Sequence, residues 1–228
     1  MTAPFRIGFL LFPDITQLDM AGPYEVLIKL PGAEIHLIGK TRAPVTAGGG
    51  MQIVPTTTYA DCPQLDMLCV PGGSGVNPLL EDEATLAFLR RQAKAARYVT
   101  SVCTGSLVLG AAGLLKGRRA TTHWMSMEML KAFGATPVHQ RVVVDGNVIT
   151  GGGVTAGIDF GLTVAAEVAG EEAAREIQLA IEYDPHPPFD AGSPAAAGPE
   201  LTARATGAAS DRQAKRAAAV KRAAARLR

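Results

Sequence analysis

The chain has 228 residues, of which 47% are hydrophobic, and its formal net charge is +1. A chain of this length and apolar content can bury the core of one α/β domain. No apolar run reaches the roughly 18 residues that a membrane helix needs, and residues 1–6 lead directly into a predicted strand, without the pattern of a signal peptide. These features exclude an integral membrane protein and predict a cytoplasmic protein of enzyme size.

The cysteines and histidines do not form a metal-binding pattern. Three cysteines, Cys62, Cys69 and Cys103, cannot all pair, and their spacing matches no zinc motif. Cys69 falls in a predicted strand, where packing explains it, and Cys62 falls in a predicted turn, where we assign it no role. We therefore expect a reducing compartment, no metal and no cofactor.

Charge is distributed unevenly along the chain. From Glu200 onward there are eight Lys or Arg and two acidic residues, which gives a local charge of +6. The rest of the chain is therefore mildly acidic. Charge runs usually mark solvated faces, so we expect this tail to be a solvated or dimer-packing helix without a nucleic-acid role.

The predicted elements alternate between strands and helices. Residues 6–12 form an apolar run ended by Pro13, typical of a strand buried on both faces. Further predictions before Cys103 are a helix over 19–30 with Pro23 tolerable only in its first turn, a strand over 34–38, a hairpin within 45–59, a strand over 65–70, a helix over 85–96 and a strand over 98–102.

The second half continues this alternation and ends in a tail. The predicted elements are a helix over 104–112, a short strand within 118–123, a helix over 126–133, a hairpin over 141–150, helices over 156–169 and 171–183, an irregular connector over 184–199 and a helix-prone segment over 201–228. We place a main domain over residues 1–194 and an Ala/Arg-rich C-terminal helical tail over 195–228.

This alternation predicts an α/β fold with a mainly parallel sheet sandwiched by helices. Ligands of such sheets bind beyond the carboxyl ends of the strands. Asp19, the turn over residues 72–75 and Cys103 each follow a predicted strand. The three features are therefore expected on one rim.

Cys103 lies where a β-branched strand meets a helix of small residues. Free backbone N–H groups and the helix dipole at such a corner favour the thiolate, which is the reactive form. The alternative is that Cys103 is a small buried hydrophobic residue. Its position at the corner favours a nucleophile.

The other candidates would supply protons and anion binding. Asp19 is the candidate proton carrier. The alternative is that it only stabilises the helix start by interacting with the helix dipole, which is frequent for aspartate. Gly72, Gly73 and Ser74 could direct N–H groups toward a developing negative charge, or form a purely structural turn. His123 is a possible partner for Cys103, which the sequence alone leaves open.

Several motifs together resemble the ThiJ/PfpI superfamily, which has the class I glutamine-amidotransferase-like fold, and within it the isocyanide (isonitrile) hydratases. The resemblance covers about residues 7–194. It is carried by Ile7-Gly8-Phe9-Leu10-Leu11-Phe12-Pro13, Gln17-Leu18-Asp19, Pro71-Gly72-Gly73, the run from Tyr98 through Cys103-Thr104-Gly105 to Leu115, Ala120-Thr121-Thr122-His123-Trp124 and Thr155-Ala156-Gly157-Ile158-Asp159-Phe160.

The resemblance implies a flavodoxin-like domain with a nucleophile elbow and assigns roles to particular residues. Cys103 would be the nucleophile, Asp19 the proton carrier and Thr104 a residue that shapes the site. Gly152 matches a near-site glycine linked to active-site mobility. The family is homodimeric, and this chain would share that assembly.

The implied reaction adds water to a small-molecule isocyanide through a cysteine thioimidate and gives an N-substituted formamide. Thr104 stands where related peptidases have histidine, which counts against peptidase activity. The alternatives are a glyoxalase-like cysteine enzyme and a ligand-sensing regulator. A regulator would need a helix-turn-helix region, which one amphipathic tail helix cannot build. No nucleic-acid or membrane partner is expected.

Overall fold

A seven-stranded sheet forms the centre of the computed structural model, which describes residues 4–227. Its strand order is β10-β11-β7-β6-β1-β2-β5, and every neighbouring pair is parallel except β10 with β11. The strands are β1 (Phe5–Leu10), β2 (Ala33–Gly39), β3 (Val45–Thr46), β4 (Gln52–Ile53), β5 (Thr57–Thr58), β6 (Met67–Val70), β7 (Tyr98–Val102), β8 (Arg119–Ala120), β9 (Thr136–Pro137), β10 (Val142–Asp145) and β11 (Val148–Gly151).

Helices flank the sheet in two groups. They are α1 (Gln17–Leu27), α2 (Val76–Leu79), α3 (Glu83–Ala93), α4 (Gly105–Ala111), α5 (Ala156–Ala169), α6 (Glu171–Ala180), α7 (Pro194–Ala208) and α8 (Ser210–Ala225), with a 3-10 helix over Trp124–Phe133. Helix α5 packs on α1 and α6, whereas α4 contacts α2, α3, α8 and the 3-10 helix. This arrangement confirms the predicted α/β sandwich.

The central strands are buried because their apolar runs are covered on both faces. Ile7 and Phe9 of β1 and Met67 and Leu68 of β6 have no exposed surface. Continuous apolar runs of this kind are typical of parallel strands between helical layers. The carboxyl ends of β1, β6 and β7 therefore meet at one edge, where the candidate residues follow them.

Three sequence predictions about helices are wrong. Pro23 lies inside α1, not in its first turn, because the helix begins at Gln17. The segment predicted as an α-helix over 126–133 is a 3-10 helix that begins at Trp124. The irregular connector ends early because α7 begins at Pro194, where the Ser193 hydroxyl accepts the Ala196 N–H at 3.2 Å.

The C-terminal tail also departs from its prediction as one solvated helix, whereas packing of the tail in a dimer stays a prediction. It forms two helices, and α7 is kinked where Gly198 adopts a φ of 76° before Pro199. One face of α8 is buried against the main domain through Ala219, Val220 and Ala223. The net charge of the tail gives no indication of this apolar stripe. Its residues are spaced three and four positions apart, which places them on one helix face.

Within residues 4–227, none of the helices combines the length and the apolar character required to span a bilayer.

Candidate active site

Cys103 occupies a strained backbone position between β7 and α4. Its φ is 55°, in the left-handed region that non-glycine residues rarely adopt. The N–H of Cys103 donates to the carbonyls of Gly151 (3.0 Å) and Gly152 (2.8 Å), and the Thr122 hydroxyl donates to its carbonyl at 2.9 Å. These bonds hold the predicted nucleophile elbow in place.

Close backbone packing explains the glycine two residues after Cys103. A Cβ added to Gly105 would lie 1.9 Å from the carbonyl oxygen of Val70, so only glycine fits there. The first turn of α4 therefore lies directly against the end of β6. This contact brings Cys103 beside the turn that follows β6.

Asp19 is a fully buried carboxyl group on α1, with 0% of its surface exposed. Its Oδ2 accepts the N–H of Gly72 at 3.0 Å, and the carboxyl group also interacts with the Cys103 side chain. Its Oδ1 is buried and has no aligned hydrogen-bond partner among residues 4–227. Burial raises the pKa of Asp19 to about 7, although the contacts with Cys103 and Gly72 lower it.

The Cys103 thiol is held mainly in its protonated form, so the prediction that its corner favours the thiolate is wrong. Burial raises the pKa of Cys103 first, since only 5% of the residue is exposed, and the neighbouring Asp19 charge raises it further. The Thr104 N–H and the Arg216 charge lower this pKa but do not outweigh burial. Cys103 and Asp19 thus form a buried pair that titrates together.

The glycine turn after β6 binds the side chains of Asp19 and Thr104. The Gly73 N–H donates to Thr104 Oγ1 at 3.1 Å, as the Gly72 N–H donates to Asp19. In this arrangement both N–H groups are already bonded to side chains, those of Asp19 and Thr104. Anion binding by Gly72, Gly73 and Ser74 stays a prediction. For the two glycines to bind an anion, their N–H groups would have to release Asp19 and Thr104.

A cavity of about 210 Å³ opens beside this pair. It is large enough for a small organic molecule, and polar groups surround it. Its lining residues are Thr16, Gly73, Ser74, Cys103, Thr104, His123, Arg212, Gln213 and Arg216.

Comparison with known proteins places this site in a family. The family model described as the DJ-1/PfpI family matches residues 5–167. The chain belongs to the DJ-1/PfpI family. It is 62% identical over 189 residues to an isonitrile hydratase of Pseudomonas putida, which covers 83% of each chain. The resemblance drawn from the motifs is thereby confirmed.

Two further relatives define how far the likeness extends. The crystal structure of a ThiJ/PfpI family protein from Pseudomonas syringae has a TM-score of 0.93 and 43% identity, over 96% of this chain and 91% of that one. The transcriptional regulator GbdR of Pseudomonas aeruginosa is 33% identical over 186 residues, which is 78% of this chain and 49% of the regulator. The chain thus spans about half the length of that regulator.

His123 lines the cavity of this DJ-1/PfpI protein, and its observed contact is a helix cap. Its Nδ1 accepts the Met125 N–H at 3.3 Å, at the start of the 3-10 helix. Burial lowers the pKa of His123, and the charges of Arg216 and Arg212 lower it further, so the ring is neutral near pH 7. No hydrogen bond joins it to Cys103 within residues 4–227.

Gly152 lies next to Cys103, and its link to active-site mobility stays a prediction. Its carbonyl accepts the Cys103 N–H, and its own N–H donates to the carbonyl of Arg141 at 2.8 Å. The residues that follow it lead into α5. Movement of this segment would therefore change the support of the elbow directly.

The cationic side of the cavity was missed by sequence reasoning. Arg212, Gln213 and Arg216 come from α8, more than one hundred residues after Cys103. The available signal was the four-residue spacing of the two arginines, which places them on one helix face. Nothing in the sequence indicated that this face turns toward Cys103. Among residues 4–227, no group of three or more potential acidic, histidine or cysteine ligands could hold a metal ion.

Proposed function

We propose that this protein adds water to an isocyanide, R–N≡C, and releases an N-substituted formamide. The observation that carries the proposal is the buried Cys103–Asp19 pair beside a cavity of about 210 Å³, because a thiol in contact with a carboxyl group can act as nucleophile and proton carrier. The 62% identity to an isonitrile hydratase supports the choice of substrate. Cys103 is the proposed nucleophile, and the terminal carbon of the isocyanide is the electrophile.

The first step adds the thiol across the terminal carbon. The sulfur of Cys103 forms a bond to that carbon while Asp19 accepts the thiol proton and passes it to the same carbon. The product is a thioimidate, Cys–S–CH=N–R, and no proton is gained or lost overall. A pKa near 7 suits Asp19 to this transfer, since a carboxyl group with that value both accepts and releases protons near neutrality.

The second step consumes water. The water oxygen bonds to the thioimidate carbon, and Asp19 transfers a water proton to the nitrogen, which gives Cys–S–CH(OH)–NH–R. The C–S bond then breaks, the hydroxyl proton returns to the Cys103–Asp19 pair, and the formamide HC(=O)–NH–R is released. The atoms balance as isocyanide plus water, and no step requires a cofactor.

The neighbouring residues support these steps by positioning. Thr104 and the Gly72–Gly73 turn orient the nucleophile and the acid, and Ser74 borders the space where negative charge develops. We further propose that the protein acts as a homodimer in a reducing compartment, where Cys103 stays a free thiol.

Rapid-quench mass spectrometry tests the covalent step. Mixing the protein with an aryl isocyanide should give an intact-mass increase equal to one substrate molecule, located on Cys103, before formamide accumulates. Cys103→Ala should lose both adduct and turnover, whereas Cys62→Ser, which changes a cysteine outside the cavity, should retain both.

Two outcomes would oppose this proposal. Formamide production without any adduct would indicate direct addition of water in place of the thioimidate route. Turnover of methylglyoxal together with failure to convert isocyanides would instead favour the glyoxalase-like alternative.

A further inference from the structure

Arg216 on α8 is a buried guanidinium, with 4% of its surface exposed. Its Nη2 donates to the Gly73 carbonyl at 3.0 Å, its Nε to Asn77 Oδ1 at 3.1 Å and its Nη1 to Ser126 Oγ at 3.4 Å. All three acceptors are neutral. A buried charge is costly unless an opposite charge compensates it, so this cation needs an anion nearby.

The charged and titratable groups that face Arg216 identify this anion. Arg212 lies on the same helix and repels it, while His123, which also lines the cavity, is neutral. Cys103 is the group whose negative charge favours the Arg216 cation, and Asp19 shares its proton with Cys103. The anion that Arg216 faces is therefore the Cys103 thiolate, which forms when the thiol gives its proton to Asp19.

The three acceptors of Arg216 lie on separate segments, and one of them, Gly73, lines the cavity. Gly73 belongs to the turn that orients Thr104, Asn77 lies in α2, and Ser126 lies in the 3-10 helix that begins beside His123. One side chain that lines the cavity thus connects three separate segments of the fold. Contacts of this kind fix the geometry of a catalytic group without touching the reacting atoms.

Helix α8 is anchored independently of the cavity at its far end. Arg222 donates to both carboxylate oxygens of Glu81, with Nε–Oε1 at 3.2 Å and Nη2–Oε2 at 2.7 Å, and Arg226 contacts the same residue. Ala219, Val220 and Ala223 bury the apolar face between these two regions. Docking of the helix and the presence of the Arg216 charge can therefore be changed separately.

We propose that α8 completes the active site through Arg216, a positioning residue that fixes the Gly73 turn and places a compensating positive charge beside the Cys103–Asp19 pair. The C-terminal tail is then a functional part of the site in this chain. The proposal concerns the reactivity of Cys103 and does not depend on which substrate the protein converts.

Alkylation of Cys103 by iodoacetamide, measured by peptide mass spectrometry as a function of pH, tests the charge. Arg216→Gln should move the midpoint of the alkylation profile upward by about one pH unit, because loss of a nearby positive charge disfavours the thiolate. The matched control is Arg222→Gln, which removes one charge from the same helix away from the cavity. Its midpoint should stay within about 0.2 units of the parent protein.

Arg216→Lys separates charge from geometry. Lysine keeps the positive charge but lacks the planar fork that reaches three acceptors, so the alkylation midpoint should stay near the parent value while kcat falls about tenfold. Thermal unfolding of each variant shows whether it is folded. Should Arg216→Gln not fold, Arg216→Lys decides the question, since a midpoint displaced by a full unit there would refute the charge role.

Two further results would overturn the proposal. One is an unchanged alkylation profile in folded Arg216→Gln. The other is an equal upward displacement in Arg216→Gln and Arg222→Gln, which would assign the effect to docking of α8 alone. A protein that passes these tests but does not hydrate isocyanides would leave the role of Arg216 intact and refute only the proposed substrate.

Discussion

Asp19 and Gly72 are joined by a buried hydrogen bond of 3.0 Å between the Gly72 N–H and Asp19 Oδ2, across 53 positions of the sequence. The bond connects the start of α1 to the turn after β6. It fixes the carboxyl group beside the Cys103 thiol, with which it also interacts. The proposed proton carrier and the proposed nucleophile are thus held side by side in the folded protein.

Asp19→Asn should lower kcat by about 10² to 10⁴-fold, because the amide cannot carry the proton from sulfur to carbon. The amide oxygen can still accept the Gly72 N–H, so the turn should keep its position and KM should change little. Steady-state formamide production measures both constants. An increase in KM with kcat unchanged would show that Asp19 binds substrate and does not transfer protons.

The same residue should make stability depend on pH. Unfolded Asp19 releases its proton near pH 3.8, whereas the folded protein retains it until about pH 7. Between these values the folded state binds more protons, so the Asp19 contribution to stability falls as pH rises and the loss is complete above the folded pKa. For Asp19 alone this loss is about 4 kcal/mol over the whole range.

Urea unfolding at pH 5 and pH 8 measures this effect when the parent protein is compared with Asp19→Asn. The variant lacks the titrating group, so it should gain about 3 kcal/mol relative to the parent between the two pH values. An equal stability difference at both pH values would contradict the raised pKa of Asp19.

The fold was largely predictable because its signals are local. The buried run of β1 and the β-branched run of β7 each identify a strand from a few neighbouring residues. The Asp145-Gly146 turn identifies the hairpin of β10 and β11 in the same way. The type of the 3-10 helix and the start and kink of α7 were not predicted correctly. They depend on packing and on single residues such as Gly198.

The site was predictable only where residues follow strands. The topology of a parallel sheet brings Asp19, Gly72 and Cys103 to one edge, so their meeting follows from chain order. The protonation of Cys103 could not be read from its corner because burial, a property of the whole fold, outweighs the local N–H groups. Arg216 was missed since its contact with Gly73 joins residues 143 positions apart.

Gly72→Ala should disrupt the pair without removing any catalytic group. The added Cβ would lie 2.6 Å from the Thr104 nitrogen and 2.7 Å from Asp19 Oδ2, so at least one of these groups must move. A displacement of this size should lower kcat by roughly 10²-fold. Gly207→Ala is the control, because nothing lies within 4 Å of its added Cβ. Similar turnover in the two variants would show that the turn tolerates the shift.

Replacement of Cys103 by glycine and by alanine should separate function from backbone strain. Both variants lack the thiol, so neither should form formamide. They differ in the energy of the left-handed backbone, which at a φ of 55° is about 1 kcal/mol less favourable for alanine than for glycine. Cys103→Gly should therefore have a Tm a few degrees above that of Cys103→Ala. Differential scanning calorimetry compares the two Tm values. A lower Tm for the glycine variant would show that the left-handed backbone at position 103 is not strained by a side chain.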